Sequence, residues 1–270
     1  MRYIKEFANA TALQAAVDNG ELGRPYLCYL QDQGKIAWDS EQPGPTPHDY
    51  SKDYLTFRIT KSGNIIWNGS ASKTIMYSKD SGSTWTSISP KNTFSVSKDE
   101  VVFVKGNNST YYDSFIKYNY FGGTATTAQF SVEGNILSMI YGDSFSGQTT
   151  ISSENTFRRL FYKCTGLTSA ENLIFPNNIT YMCYEGMFQD CTSLTIAPTI
   201  TKLGSGCCAR LFQNCTSLNY IKCLATSYDV NDVNDWVTGV SPTGTFVKKL
   251  GVNWPSGTSG IPNNWTVIEE

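Results

Sequence analysis

The chain has 270 residues, enough for two domains that each bury their own core. Charged residues are only 16%, the net charge is −2 and no lysine or arginine run occurs, so nothing draws the chain to a phosphate backbone and nucleic acid is excluded as a partner. No window approaches the roughly 18 apolar residues of a membrane span, and Met1–Phe7 lacks a signal peptide's apolar core, so a soluble protein made in the cytosol, with no membrane partner, is expected.

Residues 1–48 read as a small αβ-hairpin unit with a Pro-rich linker. Thr11 can cap a helix through Ala12, Leu13, Ala15, Ala16 and Val17 that Gly20 ends. Tyr26–Leu30 and Lys35–Trp38 flank Asp32-Gln33-Gly34 as a hairpin, and the run from Gln42 to His48 is stiff and extended. So short a unit buries little apolar surface and is expected to dock on something, with Phe7, Tyr26, Tyr29 and Trp38 as its candidate anchoring residues.

Residues 49–140 carry about seven short alternating strands, at 55–59, 65–67, 74–77, 85–88, 93–96, 101–104 and 129–132, separated by Gly/Asn/Ser turns. With 16 Tyr, 14 Phe and 6 Trp available for packing, that spacing predicts an Ig-like antiparallel β-sandwich.

Residues 141–226 repeat themselves. Leu160-Phe161-Tyr162-Lys163-Cys164-Thr165-Gly166-Leu167 returns as Met187–Leu194 and again as Leu211–Leu218, with the cysteines 27 and then 24 residues apart. Such a period is the signature of a solenoid whose coils stack on one another. Cys183, Met187 and Cys191, and likewise Cys207, Leu211 and Cys215, are spaced i, i+4, i+8, which predicts one face of a short helix per coil. These cysteines read as packing residues, with cross-coil disulfides such as Cys183 to Cys207 left open; there is no Cys-x-x-Cys and no histidine nearby to suggest a metal. In residues 227–270 the repeat stops. Val230, Val233, Trp236 and Val237 predict a last helix, and Phe246, Trp254, Ile261, Trp265 and Val267 predict an apolar C-terminal cap.

Candidate chemistry is sparse. Ser78–Trp85 matches the Asp-box of sialidases, where the aspartate braces a hairpin turn, and a single copy without an arginine cluster predicts only that brace. Gly142-Asp143-Ser144-Phe145 resembles the start of a GDSL-type hydrolase, yet the one histidine, His48, lies in the linker, so a junction turn is expected. No catalytic residue, cofactor or metal is assigned. Tyr162, Tyr181, Tyr184 and Tyr220 are the candidate binding surface of the repeats, because tyrosine combines contact area with a polar tip.

The repeats resemble the BspA-like leucine-rich repeat, whose pattern Met-Phe-x-x-Cys-Thr-Ser-Leu followed by Ala-Pro stands here as Met187–Leu194 and Ala197-Pro198. Val132–Ile136 before the repeats, and Gly239–Ser241, Gly244–Phe246 and Gly260–Val267 after them, are similar to the flanks of such proteins. The first repeat departs with Gly166 for serine, the third with Ile221-Lys222 for Ala-Pro. Lys5–Ala8 and Pro25–Tyr29 look like the short N-terminal units of crAss-like gut-phage structural proteins. The resemblance implies a non-enzymatic virion surface protein, a head fibre, capsid decoration or tail fibre. Residues 1–48 would bind phage capsid or tail proteins, and the repeats a host surface glycan or protein. A homodimer or homotrimer is expected. The alternatives are a bacterial cell-surface adhesin and, further off, a glycan hydrolase.

Overall fold

The computed structural model describes residues 48–270 continuously and, before them, residues 5–8, 11–12, 15–16, 27–30 and 35–38. The protein is mainly β, with several sheets, in two compact units, Met1–Asp49 and Tyr50–Glu270.

In the first unit β1 (Lys5–Phe7) pairs in parallel with β2 (Leu27–Leu30), and β2 antiparallel with β3 (Lys35–Trp38). The expected hairpin is therefore β2–β3. A parallel pair needs a crossover between its strands, and the helical residues Thr11, Ala12, Ala15 and Ala16 lie in that connection. Phe7, Tyr29 and Trp38 are described as strand positions only, and Tyr26 lies outside the described residues.

The second unit opens with nine strands: β4 (Leu55–Lys61), β5 (Gly63–Gly69), β6 (Ile75–Ser78), β7 (Thr86–Ile88), β8 (Asn92–Val96), β9 (Val101–Lys105), β10 (Tyr112–Ser114), β11 (Lys117–Phe121) and β12 (Gln129–Asn135). One sheet runs β10-β11-β5-β8; the other runs β12-β4-β9-β6-β7 and continues beyond β12 to β13 (Leu167–Ile174). Their inner faces meet through rings: Phe57 lies 5.0 Å from Phe121, Tyr77 lies 4.4 Å from Phe94, and Trp67 stands against both Tyr111 and Phe121. The strands β10 and β11 were not expected. Asn119 of β11 points inward with no exposure, its amide donating to the Asn68 carbonyl at 3.0 Å, so the apolar alternation that marks a strand is broken there.

From β12 onward every neighbour is parallel. β12 pairs with β13, Ser169 bridges to Ile196, Ile196 to Tyr220 at the head of β14 (Tyr220–Cys223), and β14 pairs with β15 (Thr245–Lys248), which pairs with β16 (Thr266–Glu269). The backbone pattern thus runs on past Cys223, where the repeating sequence stops, and residues 227–270 add rungs of their own.

The opposite side of each coil is not the expected short helix. It is a ribbon of consecutive β-turns. The amides of Leu160, Tyr162 and Cys164 bond three residues back, to Phe157, Arg159 and Phe161, while those of Phe157, Arg159, Phe161 and Lys163 cross to Cys183, Glu185, Met187 and Gln189 of the next coil. An α-helix would keep all of these donors within itself, four residues back. The ribbon repeats every four residues through left-handed positions at Asn155, Arg159 and Lys163, then Met182, Gly186 and Asp190, then Gly206, Arg210 and Asn214. This four-residue period is why the i, i+4, i+8 cysteines do share a buried face. The helix expected at 230–237 is likewise a short 3-10 turn, Val230–Asp232, leading into the same ribbon, with Phe212 and Asn214 donating to Trp236 and Thr238.

Ring columns fill the stack. Phe121, Phe161, Phe188, Phe212 and Trp236 follow one another at centroid separations of 5.8, 5.5, 5.7 and 6.0 Å. Such contacts add roughly 0.5–1.5 kcal/mol each beyond the area they bury. The column starts inside the two-sheet region, so both regions share one core. At their seam the backbones touch: a Cβ on Gly122 would sit 2.1 Å from the Tyr162 carbonyl oxygen, and one on Gly166 would sit 2.1 Å from that of Ala128. The departure of the first repeat from serine to Gly166 follows, since this coil abuts a strand where later coils abut one another.

Candidate functional site

The four tyrosines expected to form one surface are dispersed. Tyr184 is only 2% exposed and lies between Phe157 and Phe175, at 6.3 and 4.3 Å; it is a core residue, because the central coil is covered by neighbours on both sides. Its hydroxyl has no hydrogen-bond partner among the described residues, and burial holds its pKa well above the ordinary value. Tyr181 is 47% exposed and Tyr220 is half-buried at the head of β14.

Tyr162 alone joins a cluster, and its partners come from β11. Its ring lies 6.4 Å from Tyr118 and 5.8 Å from Tyr120, which are 5.5 Å apart. The Arg159 guanidinium stands 5.2 Å from the centroids of both Tyr118 and Tyr162 and donates to the Tyr118 hydroxyl at 3.1 Å. The Lys163 amino group lies 5.1 Å from the Tyr162 centroid. Asn68 donates to the Tyr120 hydroxyl at 3.1 Å, and burial, then the neighbouring Tyr118 and Tyr162, push that phenol's pKa up. Beside the cluster opens a pocket of about 520 Å³ whose walls include Asn68, Phe115, Ile116, Tyr118, Tyr120 and Arg159. Phe115 and Ile116, at the β10–β11 turn, are 69% and 80% exposed.

Two further arginines flank this cluster in a different role. Glu185, buried, takes Arg158 at 2.8 Å and Arg210 at 2.7 Å, and Arg158 also lies under the rings of Tyr112 and Phe115, at 4.9 and 4.4 Å. Burying this carboxylate is tolerable only because both guanidinium groups meet it.

The carboxylates of the motifs with catalytic overtones are engaged in local hydrogen bonds and an ion pair. Asp80 accepts from the Ser78 hydroxyl at 2.7 Å and from the Thr84 amide and hydroxyl at 2.9 and 2.6 Å, closing the β6–β7 hairpin while Trp85 donates to Gly82. Hydrogen bonds from Thr84, then Ser78, lower its pKa to about 2. Asp143 accepts from Tyr54 at 2.7 Å and pairs with Lys105 at 2.6 Å, and the hydrogen bond from Lys105 lowers its pKa. It serves as counter-ion to a buried lysine beside the exposed Ser144. The seven cysteines between Cys164 and Cys223 are free and fully buried. Burial pushes the thiols of Cys164 and Cys223 up to about 12, and Cys191 and Cys215 donate to the Phe161 and Phe188 carbonyls of the preceding coil. Among the described residues no group of three or more His, Cys, Asp or Glu could hold a metal, and no helix is long and apolar enough to cross a membrane. No family model matches the chain, and neither a curated protein nor a solved structure matches it.

Proposed function

We propose that this is a virion surface protein of a gut phage of the crAss-like kind, a head fibre, capsid decoration or tail fibre that binds the host surface and catalyses no reaction. In this reading residues 49–140 are an Ig-like β-sandwich and the parallel stack is a short BspA-like leucine-rich-repeat solenoid. Residues 1–48 attach the protein to capsid or tail proteins, and copies associate as dimers or trimers. The observation that carries the reading is the unbroken parallel stack from β12 to β16 grown on the two-sheet region. Such a stack is a stiff platform that offers outward side chains over a long surface, the use to which repeat arrays are put. The engagement of Asp80 in holding a turn, that of Asp143 as counter-ion to Lys105 and the depth of the thiols agree with a binding role. Mass spectrometry and antibody labelling of purified particles test it. The protein is expected on intact virions and on cells only after particle adsorption; its presence in envelopes of uninfected bacteria would replace this reading with the adhesin.

A further inference from the structure

We propose that the Tyr118–Tyr120–Tyr162 cluster with Arg159 is a binding site for a carboxylate-bearing sugar, the terminal acidic residue of a surface glycan. This names a ligand class for the surface-binding role above and rests on that role for its biological setting.

The argument starts from what the cluster leaves unused. Arg158 and Arg210 are both engaged by Glu185, whereas Arg159, one residue along, has no carboxylate partner among the described residues. It is held instead by two phenol rings, which order the guanidinium without neutralising it. An ordered, uncompensated guanidinium is set to take a carboxylate through paired N–H donors. Lys163, on which the Tyr162 hydroxyl and then the Asp190 carboxylate also act, brings a second amino group to 5.1 Å from the Tyr162 ring centroid.

The other walls suit a sugar ring. The apolar C–H faces of a pyranose stack on aromatic rings, while its hydroxyls need donors and acceptors close by. Three phenol rings, with the hydroxyls of Tyr118 and Tyr120 that accept from Arg159 and Asn68 and keep their own O–H to donate, supply both within one patch. A pocket of about 520 Å³ lies in the size range of small-ligand sites, and Phe115, seated on the buried Arg158, forms one wall. The patch is also assembled from two sequence regions, β11 and the first turn ribbon. The Phe121 amide bonds to the Leu160 carbonyl at 2.7 Å and the Gly123 amide to that of Lys163 at 3.0 Å, so its geometry is fixed before a ligand arrives.

The purified full-length chain is titrated calorimetrically with oligosaccharides ending in N-acetylneuraminate or glucuronate, beside neutral parents that lack the carboxylate. Saturable binding of at least one acidic sugar is expected, with its neutral parent at least tenfold weaker. Arg159→Asn and Lys163→Asn are the test variants, because both positions are left-handed, with φ of 58° and 55°, and asparagine tolerates that region. Arg159→Asn is expected to weaken binding at least tenfold and Lys163→Asn about threefold, with circular dichroism and melting temperature unchanged. Should Arg159→Asn fail to fold, the comparison of acidic with neutral sugar and the exposed Lys163→Asn variant decide. No binding of any acidic sugar, equal binding of the neutral parent, or full affinity in a folded Arg159→Asn protein would overturn the site. Binding of polyglutamate with no acidic sugar bound would overturn it as well. Failure of the virion reading shows separately, as absence from particles with the sugar titration intact.

Discussion

The two-sheet region and the parallel stack satisfy the same backbone demands in opposite ways. In the first, each strand has its own partner and each buried polar group its own answer, as with Asn119 on Asn68 or Lys105 on Asp143. In the second, one solution is written several times: a ribbon of turns in which alternate amides bond within the coil and across to the next. The first is specified by contacts that occur once, the second by nearest-neighbour contacts that recur. They meet at β12, which is antiparallel to β4 on one side and parallel to β13 on the other.

The largest expected effect comes from the ring that belongs to both. Phe161 lies near Phe57, Phe121 and Phe188, and Phe161→Ala should cost about 3–5 kcal/mol. Denaturant unfolding should show that loss in one transition, while Phe212→Ala, deeper in the stack, should raise hydrogen exchange in the stack and leave β5 and β8 protected. Loss of protection throughout after Phe212→Ala would erase the distinction. Next is Glu185→Ala, which strands the buried Arg158 and should cost about 3 kcal/mol, read as a lower melting temperature. Adding Arg158→Met should restore much of it, since the uncompensated charge is then gone.

The seam gives a smaller, sharper test. Gly166→Ser should cost about 1–3 kcal/mol by forcing a Cβ onto Ala128, whereas Ser193→Gly and Ser217→Gly, at the matching place in later coils, should cost less than about 1 kcal/mol. Equal penalties in a denaturant series would remove the special status of the first coil. Smallest is a local acid effect in the two-sheet region. Asp80 has a folded pKa of about 2, below its unfolded value near 3.8, so its contribution is present above about pH 4 and fades as pH falls through 2. Hydrogen exchange should show the β6–β7 hairpin loosening between pH 4 and 2 while the stack holds, and Asp80→Asn should abolish that pH dependence.

These contrasts also explain what could be read from the sequence. The seven alternating strands stand where they were expected, and β10 and β11 escaped because an inward asparagine and outward tyrosines hide their period. The stacking period was visible because Cys, Thr and Leu recur at the same turn. The last rungs were not, because they keep backbone conformation while changing side chains: Gly239 stands where Asn214 stood, and Trp236, at the place of Leu211, packs its ring on Phe212. The turn ribbon was taken for a helix since both return a side chain to the same face after four residues. Tyr184 was placed on the surface for its contact area and polar tip, whereas Cys183 through Phe188 are all buried. Of the aromatic cluster, the sequence singled out Tyr162. Tyr118 and Tyr120 were not singled out, because their approach depends on β11 lying beside the first coil, a pairing across some forty residues that no local pattern announces.

The seam at Gly122 and Gly166 separates the length of the stack from the tyrosine–arginine patch. There the backbones of the two-sheet region and the first coil come together at glycines, whereas later coils bond across to one another. A coil of 24 to 27 residues can therefore be gained or lost within the stack without disturbing that joint, moving the far edge by one strand spacing of about 4.8 Å each time. The tyrosine–arginine patch, built on the first coil, stays where it is while the length of the protein changes.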